Sequence, residues 1–146
     1  MQNSNTDWFM VEIKQRNLSE AMGFTKTAFN DDAVAFFDKF TKSGYLKAFE
    51  KNSSRVTSGC SGSELVLMIY NQQAFDYRNK YDFFDIAGTR EHWIGYALGY
   101  LQGRSQLTFE QIFEKFPLES WYRKYILHEV SDQVLWDKTI GQYTGR

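Results

Sequence analysis

The spacing of apolar residues predicts helices over the first part of the chain. Between residues 33 and 40, apolar side chains recur at the i, i+3, i+4 and i+7 positions of one helix face. Asn30 or Asp31 is placed to cap this helix, and Gly44 to end it in the left-handed conformation. Residues 7–22 carry apolar side chains without a clean period and predict a short first helix.

A second group of helix signals follows a Ser/Gly-rich loop at residues 52–63. Ser61 and Glu64 form an S-x-x-E capping box directly before the apolar run Leu65–Tyr70. That run predicts either a helix in the centre of the domain or a buried strand, because periodicity does not separate the two over so short a stretch. Residues 72–88 mix aromatic and charged side chains and predict a long connection, with room for one minor strand-like piece.

The strongest helix signals come after residue 88. Thr89, Thr108 and either Ser131 or Asp132 are placed to cap three helices, and Pro117 to begin a fourth. The predicted buried positions of the last three helices are Phe109, Ile112, Phe113 and Phe116; Leu118, Trp121, Tyr122, Tyr125 and Ile126; and Val134, Leu135, Trp136 and Ile140, with Gly141 as the end. Helix signals outnumber strand signals. The prediction is an all-α fold, with about five to seven helices in a single domain over residues 1–146.

Composition narrows the classes of function. The chain is 42% hydrophobic and 18% aromatic, which is ample for one core and excludes wholesale disorder. Seventeen basic and eighteen acidic side chains give no basic excess, so direct nucleic-acid binding is not expected. No apolar run is long enough to cross a bilayer, and no membrane partner is expected. One cysteine excludes an internal disulfide, and the N-terminus lacks signal-peptide features, so a cytoplasmic location is predicted.

Three glycines mark one face of the helix predicted over residues 90–103. Gly95, Gly99 and Gly103 recur at four-residue spacing, and each costs roughly 1 kcal/mol relative to alanine in a helix interior. Three such residues on one face indicate that another backbone approaches closely. That backbone belongs either to the same chain, which internal packing favours, or to a partner protein.

Aromatic side chains flank these glycines. Trp93, Tyr96 and Tyr100 lie beside the glycine face, and aromatic residues next to a close-approach groove are typical of binding hot spots. If the groove receives a partner protein, Gly99 and the three aromatic residues form the predicted contact.

The lone cysteine and the two histidines offer an alternative. Cys60 precedes a predicted helix N-terminus, where the helix dipole favours a thiolate, and His92 or His128 could serve as a base. Their spacing matches no hydrolase motif, so a small enzyme using Cys60 or His128 is the less favoured hypothesis. The His128-Glu129 pair does not continue into an HExxH motif. Neither a metal site nor a cofactor is predicted.

A resemblance covers more than half of the chain. The stretch Glu91–Gln102, EHWIGYALGYLQ, resembles the pattern E-[YH]-W-x-G-[WY]-x-L-x-Y-x-Q of a family of small, mostly uncharacterised bacterial proteins. The family's S-G-C-S-x-x-E-L, F-x-x-I-F and Y-H-E-x-D segments are similar here to Ser58–Leu65, Phe109–Phe113 and Leu127–Asp132. Leucine replaces the family's tyrosine at position 127, and Ser131 displaces the acid by one position. The shared order of the segments carries the resemblance.

The resemblance implies a function. Members of that family are often joined to a helix-turn-helix domain, or encoded beside small toxin-like genes in bacterial and mobile-element genomes. This implies a non-enzymatic, antitoxin-like module that binds and neutralises or regulates another protein. An inhibitor of a bacterial defence enzyme, carried by a phage or mobile element as anti-CRISPR proteins are, is the alternative. The predicted partner-binding residues are Trp93, Tyr96, Gly99, Tyr100, His128 and Glu129.

Overall fold

The computed structural model describes residues 6–71 and 82–143. Within these ranges the backbone is helical and holds no β-strand, which confirms the all-α prediction. The α-helices are α1 (Trp8–Phe29), α2 (Ala33–Ser43), α3 (Tyr45–Glu50), α4 (Gly62–Ile69), α5 (Phe83–Ala87), α6 (Arg90–Ser105), α7 (Phe109–Lys115) and α8 (Asp132–Lys138). The 3₁₀ helices of the described residues are Ser54–Val56, Leu118–Leu127 and Ile140–Gln142.

The described ranges thus hold more helices than predicted. Two of them, α3 and α5, have only six and five residues, too few for a hydrophobic period to be recognised. The strand-like piece expected near 72–88 falls partly on residues 72–81, which lie outside the described ranges. The remainder of that segment contains α5.

Side-chain caps set the starts of several helices as the sequence predicts. Ser61 and Glu64 form the reciprocal capping box of α4, so the apolar run after them is a helix and not a strand. The hydroxyls of Thr89, Thr108 and Ser131 each accept the backbone N–H three residues ahead, at the starts of α6, α7 and α8. These signals are local and are therefore readable from the sequence.

The junction between α1 and α2 differs from the prediction by one or two residues. Asp32, and not Asn30 or Asp31, caps α2 by accepting the N–H of Ala35 at 2.8 Å. Asn30 instead ends α1 in the left-handed conformation, with φ at 56°. Gly44 ends α2 with φ at 84°, as predicted.

Helix α1 is longer than predicted and packs in the centre of the fold. It runs for 22 residues from its cap, Asp7, and contacts α4, α5 and α6. Because neighbours cover several of its sides, no single apolar stripe is required, and polar side chains are buried along it. Asn17, for example, donates from Nδ2 to the carbonyls of Thr57 and Cys60 at 2.7 and 3.0 Å.

The glycine face of α6 packs against the backbone of α1. A Cβ atom added at Gly99 would lie 2.6 Å from the carbonyl oxygen of Lys14, and one at Gly95 would meet the carbonyl of Leu18. Internal packing is therefore the interpretation that the structure supports. Gly99 faces α1 and offers no surface to a partner, which corrects its place among the predicted partner-binding residues.

The segment Leu118–Leu127 is a 3₁₀ helix rather than the α-helix predicted there. In a 3₁₀ helix, residues three apart lie above one another. Trp121 is fully buried, whereas Ile126, predicted to be buried, is 81% exposed. The threefold repeat also places the ring of Tyr125 beside that of His128, with the centroids 4.3 Å apart and the planes nearly parallel.

The C-terminal helix is shorter than predicted. Helix α8 ends at Lys138, before the expected stop at Gly141, and Ile140 is buried in a separate 3₁₀ turn. Val134, predicted on the buried face, is exposed. In the described residues, no helix combines the length and the apolar character that crossing a bilayer requires.

Candidate functional site

A surface cavity of about 470 Å³, here called cavity A, opens where α6 meets the Leu118–Leu127 segment and α8. One wall comes from the start of α6, where the i, i+3, i+4 and i+7 positions share a face. These positions are Thr89, His92, Trp93 and Tyr96. The rest of the lining is Ala87, Tyr125, Leu127, His128, Val130, Ser131, Asp132 and Leu135.

A second cavity of about 720 Å³, cavity B, adjoins the first on the side of α1. His92, Tyr96 and Asp132 line both cavities and form the wall between them. Phe9, which also lines cavity B, is 70% exposed. We call the surface formed by the two cavities the cavity face.

Three of the predicted partner-binding residues meet in cavity A. Trp93, Tyr96 and His128 all line it. Glu129 is 85% exposed next to them, with its Oε2 atom 3.5 Å from Nε2 of His128. Long-range folding therefore brings together residues that the sequence selects from two separate segments.

Tyr100 does not join this group. Its side chain is only 4% exposed, and its hydroxyl accepts a hydrogen bond from the Arg104 guanidinium at 2.9 Å. Burial and this bond assign Tyr100 to internal packing, which corrects its predicted role as a partner contact.

Ring packing fixes the aromatic wall of cavity A. The Trp93 ring lies 6.3 Å from the ring of Trp121 and 5.8 Å from that of Tyr125, with an edge-to-face angle of 83° to the latter. His128 stacks on Tyr125 and donates from Nδ1 to the carbonyl of Tyr125 at 2.8 Å. The buried indole of Trp121 thus anchors the chain of rings that reaches the surface.

Asp132 supplies a carboxylate to cavity A. Its Oδ2 atom accepts hydrogen bonds from the Tyr96 hydroxyl at 3.2 Å and from Nε2 of Gln15 at 3.3 Å. Burial, together with the neighbouring carboxylate, raises the pKa of Tyr96, so its hydroxyl remains a proton donor. Within residues 6–71 and 82–143, no lysine or arginine lines the cavity.

His92 and Asp132 are polar residues of the site that were not among the predicted partner contacts, although His92 was considered as a base for Cys60. His92 had a local signal, because it shares the helix face of Trp93 and Tyr96. Burial lowers its pKa against the opposing effect of Glu20, which favours the neutral imidazole. Asp132 had no comparable signal, because its pairing with Tyr96 depends on how α8 packs against α6.

The environment of Cys60 does not match the expected thiolate. Burial raises the pKa of its thiol to about 11, and the carboxylates of Glu64 and Glu20 act in the same direction. Cys60 lines neither cavity A nor cavity B, and among the described residues no hydrogen bond joins it to a histidine. The part of the chain that the structure describes also holds no group of three or more metal-ligating side chains.

The residues of the Glu91–Gln102 stretch divide into two sets. Glu91 accepts a hydrogen bond from the Tyr122 hydroxyl at 2.7 Å, and Gln102 accepts one from the Lys14 ammonium at 2.6 Å, so both hold α6 within the fold. Trp93 and Tyr96 instead line cavity A.

Comparison with protein families, with curated proteins and with solved structures finds no match to this chain.

Proposed function

We propose that this chain is a non-enzymatic protein-binding module that acts as an antitoxin-like neutraliser or regulator of its partner. The partner contacts the cavity face. The observation that carries this proposal is the meeting of Trp93, Tyr96 and His128 in cavity A. Aromatic side chains in a concave site are the usual anchors of protein interfaces.

The residues around the cavities also support a protein-binding role for the cavity face. Phe9 and Val130 are exposed apolar side chains at cavities B and A respectively. Trp93 and Tyr96 project from the 16-residue helix α6, which the close contact with α1 holds in place. A rigid aromatic surface loses little conformational entropy when it binds.

The resemblance to small bacterial proteins supports the biological part of the proposal. That family is often encoded beside toxin-like genes, and the Glu91–Gln102 stretch that carries the resemblance supplies Trp93 and Tyr96 to the cavity wall. A growth-inhibiting protein is therefore the partner to seek first. A defence enzyme is the alternative partner.

Affinity capture with matched tyrosine variants tests the proposal. Tagged wild type, Tyr96→Ala and Tyr45→Ala are compared in bacterial lysates, and retained proteins are identified by mass spectrometry. Tyr45 is the control because it is also half-buried and hydrogen-bonded, to Arg55, but lines neither cavity. The partner is expected to bind wild type and Tyr45→Ala, with at least about tenfold weaker binding to Tyr96→Ala.

A growth assay then tests neutralisation. Production of the captured partner alone is expected to slow growth, and co-production of the wild-type chain is expected to restore it, whereas Tyr96→Ala does not. Equal capture by all three proteins would contradict a binding role for the cavity face. A wild-type chain that retains no specific protein would contradict the binding module itself.

A further inference from the structure

We propose that cavity A is a binding site for a guanidinium group, namely the side chain of an arginine that the partner protein inserts there. This inference rests on the proposed function, because it names the chemistry by which the partner would be recognised. Three features carry it: a carboxylate with unused acceptor capacity, an available aromatic ring, and a lining that holds no lysine or arginine among the described residues.

The carboxylate of Asp132 has acceptor capacity to spare. Both of its hydrogen bonds, from Tyr96 and from Gln15, go to Oδ2, and Oδ1 accepts none from the described residues. A carboxylate has about four lone-pair sites in all. A guanidinium offers parallel N–H donors, which form shorter and stronger bonds to a carboxylate than neutral donors do.

The aromatic wall supplies a surface for a planar cation. Tyr96 has no aromatic ring partner among the described residues, although other tyrosines of the fold are stacked. Trp93 lies three residues before Tyr96 on the same helix face and lines the same cavity. A planar guanidinium stacks on such a ring while its edge donates two parallel hydrogen bonds to a carboxylate, whereas an ammonium group has neither a planar face nor paired donors.

The charges of the lining favour a cation over an anion. Among the described residues, Asp132 is the one carboxylate that lines cavity A, and none of the lining residues in that part of the chain is a lysine or arginine. Burial favours the neutral form of His92 beside it. An acidic peptide or a phosphate would meet the negative charge of Asp132, so anionic ligands are not proposed.

Cavity B is a weaker choice for the same ligand. Glu12 and Asp132 line it, but so does Arg16, whose guanidinium would compete for these carboxylates and repel a second cation. Cavity A, at about 470 Å³, lies within the range of roughly 300–1,000 Å³ that is usual for ligand pockets. It is large enough for a whole arginine side chain, and far larger than a bare metal ion requires.

Peptide titrations followed by heteronuclear NMR test the guanidinium site. The isotope-labelled protein is titrated with the capped tripeptide acetyl-Gly-Arg-Gly-amide at about pH 8, where a histidine is usually uncharged. Two peptides serve as controls: one carries lysine, and the other carries citrulline, which has the shape of arginine without its charge. We expect saturable shifts at residues 92–96 and at Asp132, with the citrulline peptide binding at least about tenfold more weakly.

Two isosteric variants of α8 complete the experiment. Asp132→Asn is expected to weaken arginine-peptide binding at least about tenfold. Asp137→Asn, which removes a carboxylate from the same helix outside both cavities, is expected to leave it unchanged. The spectra of the unbound variants report directly whether each is folded.

Several results would overturn the guanidinium site. These are equal binding of the arginine and citrulline peptides, full affinity in Asp132→Asn, shifts outside the cavity, or no shift at the highest soluble peptide concentration. A partner that requires Tyr96 but binds Asp132→Asn normally would overturn this inference and leave the proposed function standing. Specific arginine binding in a chain that captures no protein would support the guanidinium site and contradict the proposed function.

Discussion

At the scale of single residues, Lys14 is a charged side chain that folding removes from water. It is 1% exposed, and its ammonium group donates to Gln102 Oε1 at 2.6 Å and lies 5.2 Å from the Phe49 ring centroid. Burial lowers the pKa of Lys14 to about 8, although Glu50 acts in the opposite direction. The folded protein therefore holds this proton less tightly than the unfolded chain, in which a lysine has a pKa near 10.4.

The consequence is a stability that rises with pH above the folded pKa. Between about pH 8 and pH 10, Lys14 is more fully protonated in the unfolded state than in the folded state. Its contribution to the free energy of unfolding therefore increases with pH. Below that window both states are protonated and the term is constant. From about pH 7.5 to pH 9.5, we expect Lys14 to contribute a gain of about 1–2 kcal/mol, measured by urea unfolding as the difference between wild type and a variant that lacks this lysine.

Two methionine variants isolate this effect. Lys14→Met is expected to lose the rise, whereas Lys47→Met, at an exposed lysine of α3, is expected to keep it. The difference between the two profiles removes the opposing contributions of Cys60 and of the tyrosines, whose raised pKa values make stability fall as pH rises in the same range. Parallel profiles for all three proteins would show that Lys14 does not lose its proton in this window.

Cys60 gives a second prediction at the residue scale. With a pKa of about 11, its thiolate fraction near neutrality is roughly 100-fold lower than that of an ordinary cysteine. Alkylation of the native protein, followed by mass spectrometry, is expected to be slower by about that factor than in urea. The rate should rise continuously toward pH 11.

The same residue offers a functional control. Cys60→Ser is expected to leave the fold and the capture of the partner intact. An alkylation rate that levels off below about pH 9 would indicate a stabilised thiolate and favour the nucleophile hypothesis. Loss of function in a folded Cys60→Ser variant would do the same.

At the scale of elements, the contact between α1 and α6 depends on how tightly each glycine is packed. A Cβ atom at Gly99 would lie 2.6 Å from the Lys14 carbonyl and 2.9 Å from Gln15 Cα, whereas at Gly103 the nearest atom is Val11 Cα at 3.2 Å. Backbone atoms at Gly99 cannot move aside without shifting the whole of α1. The contact between α1 and α6 is therefore tighter at Gly99 than at Gly103.

Two alanine substitutions test this gradient. Gly99→Ala is expected to lower the free energy of unfolding by about 1–3 kcal/mol, since overpacking forces the two helices apart. Gly103→Ala gains up to about 1 kcal/mol of helix propensity against a milder contact, so we expect little net change. Thermal and urea unfolding measure both. Equal losses of unfolding free energy at the two positions would contradict this difference in packing.

At the scale of the whole molecule, burial is distributed unevenly. Residues along most of α1 and much of α6 are buried, whereas the Leu118–Leu127 segment has one buried residue and α8 has two. Segments with fewer buried contacts open at a lower free energy than the core. One wall of cavity A is therefore built from the less stable part of the fold.

Hydrogen exchange measures this difference directly. Amides in residues 13–25 and 94–102 are expected to exchange at least about tenfold more slowly than those in residues 118–138, because local opening exposes the latter without global unfolding. A bound partner should slow exchange in residues 118–138 in particular. Uniform exchange across both regions would mean that the chain opens as a single unit.

The sequence by itself determined the all-α fold and the starts of most helices. Capping by Ser61, Thr89, Thr108 and Ser131 involves atoms within three residues, so no distant part of the chain can alter it greatly. The glycine spacing also predicted a close backbone approach on α6. The capping signals are readable because the interaction and the residues that make it lie in the same stretch of sequence, whereas the glycine spacing did not identify α1 as the partner helix.

Tertiary structure alone decided the length of α1, the 3₁₀ form of Leu118–Leu127 and the membership of cavity A. The sequence selected Trp93, Tyr96 and His128, but also Gly99 and Tyr100, which pack inward. Side chains on one helix face carry no mark of whether a neighbouring helix or solvent lies opposite. That depends on the packing of α1 and α8 against α6, which long-range burial determines and no local pattern encodes.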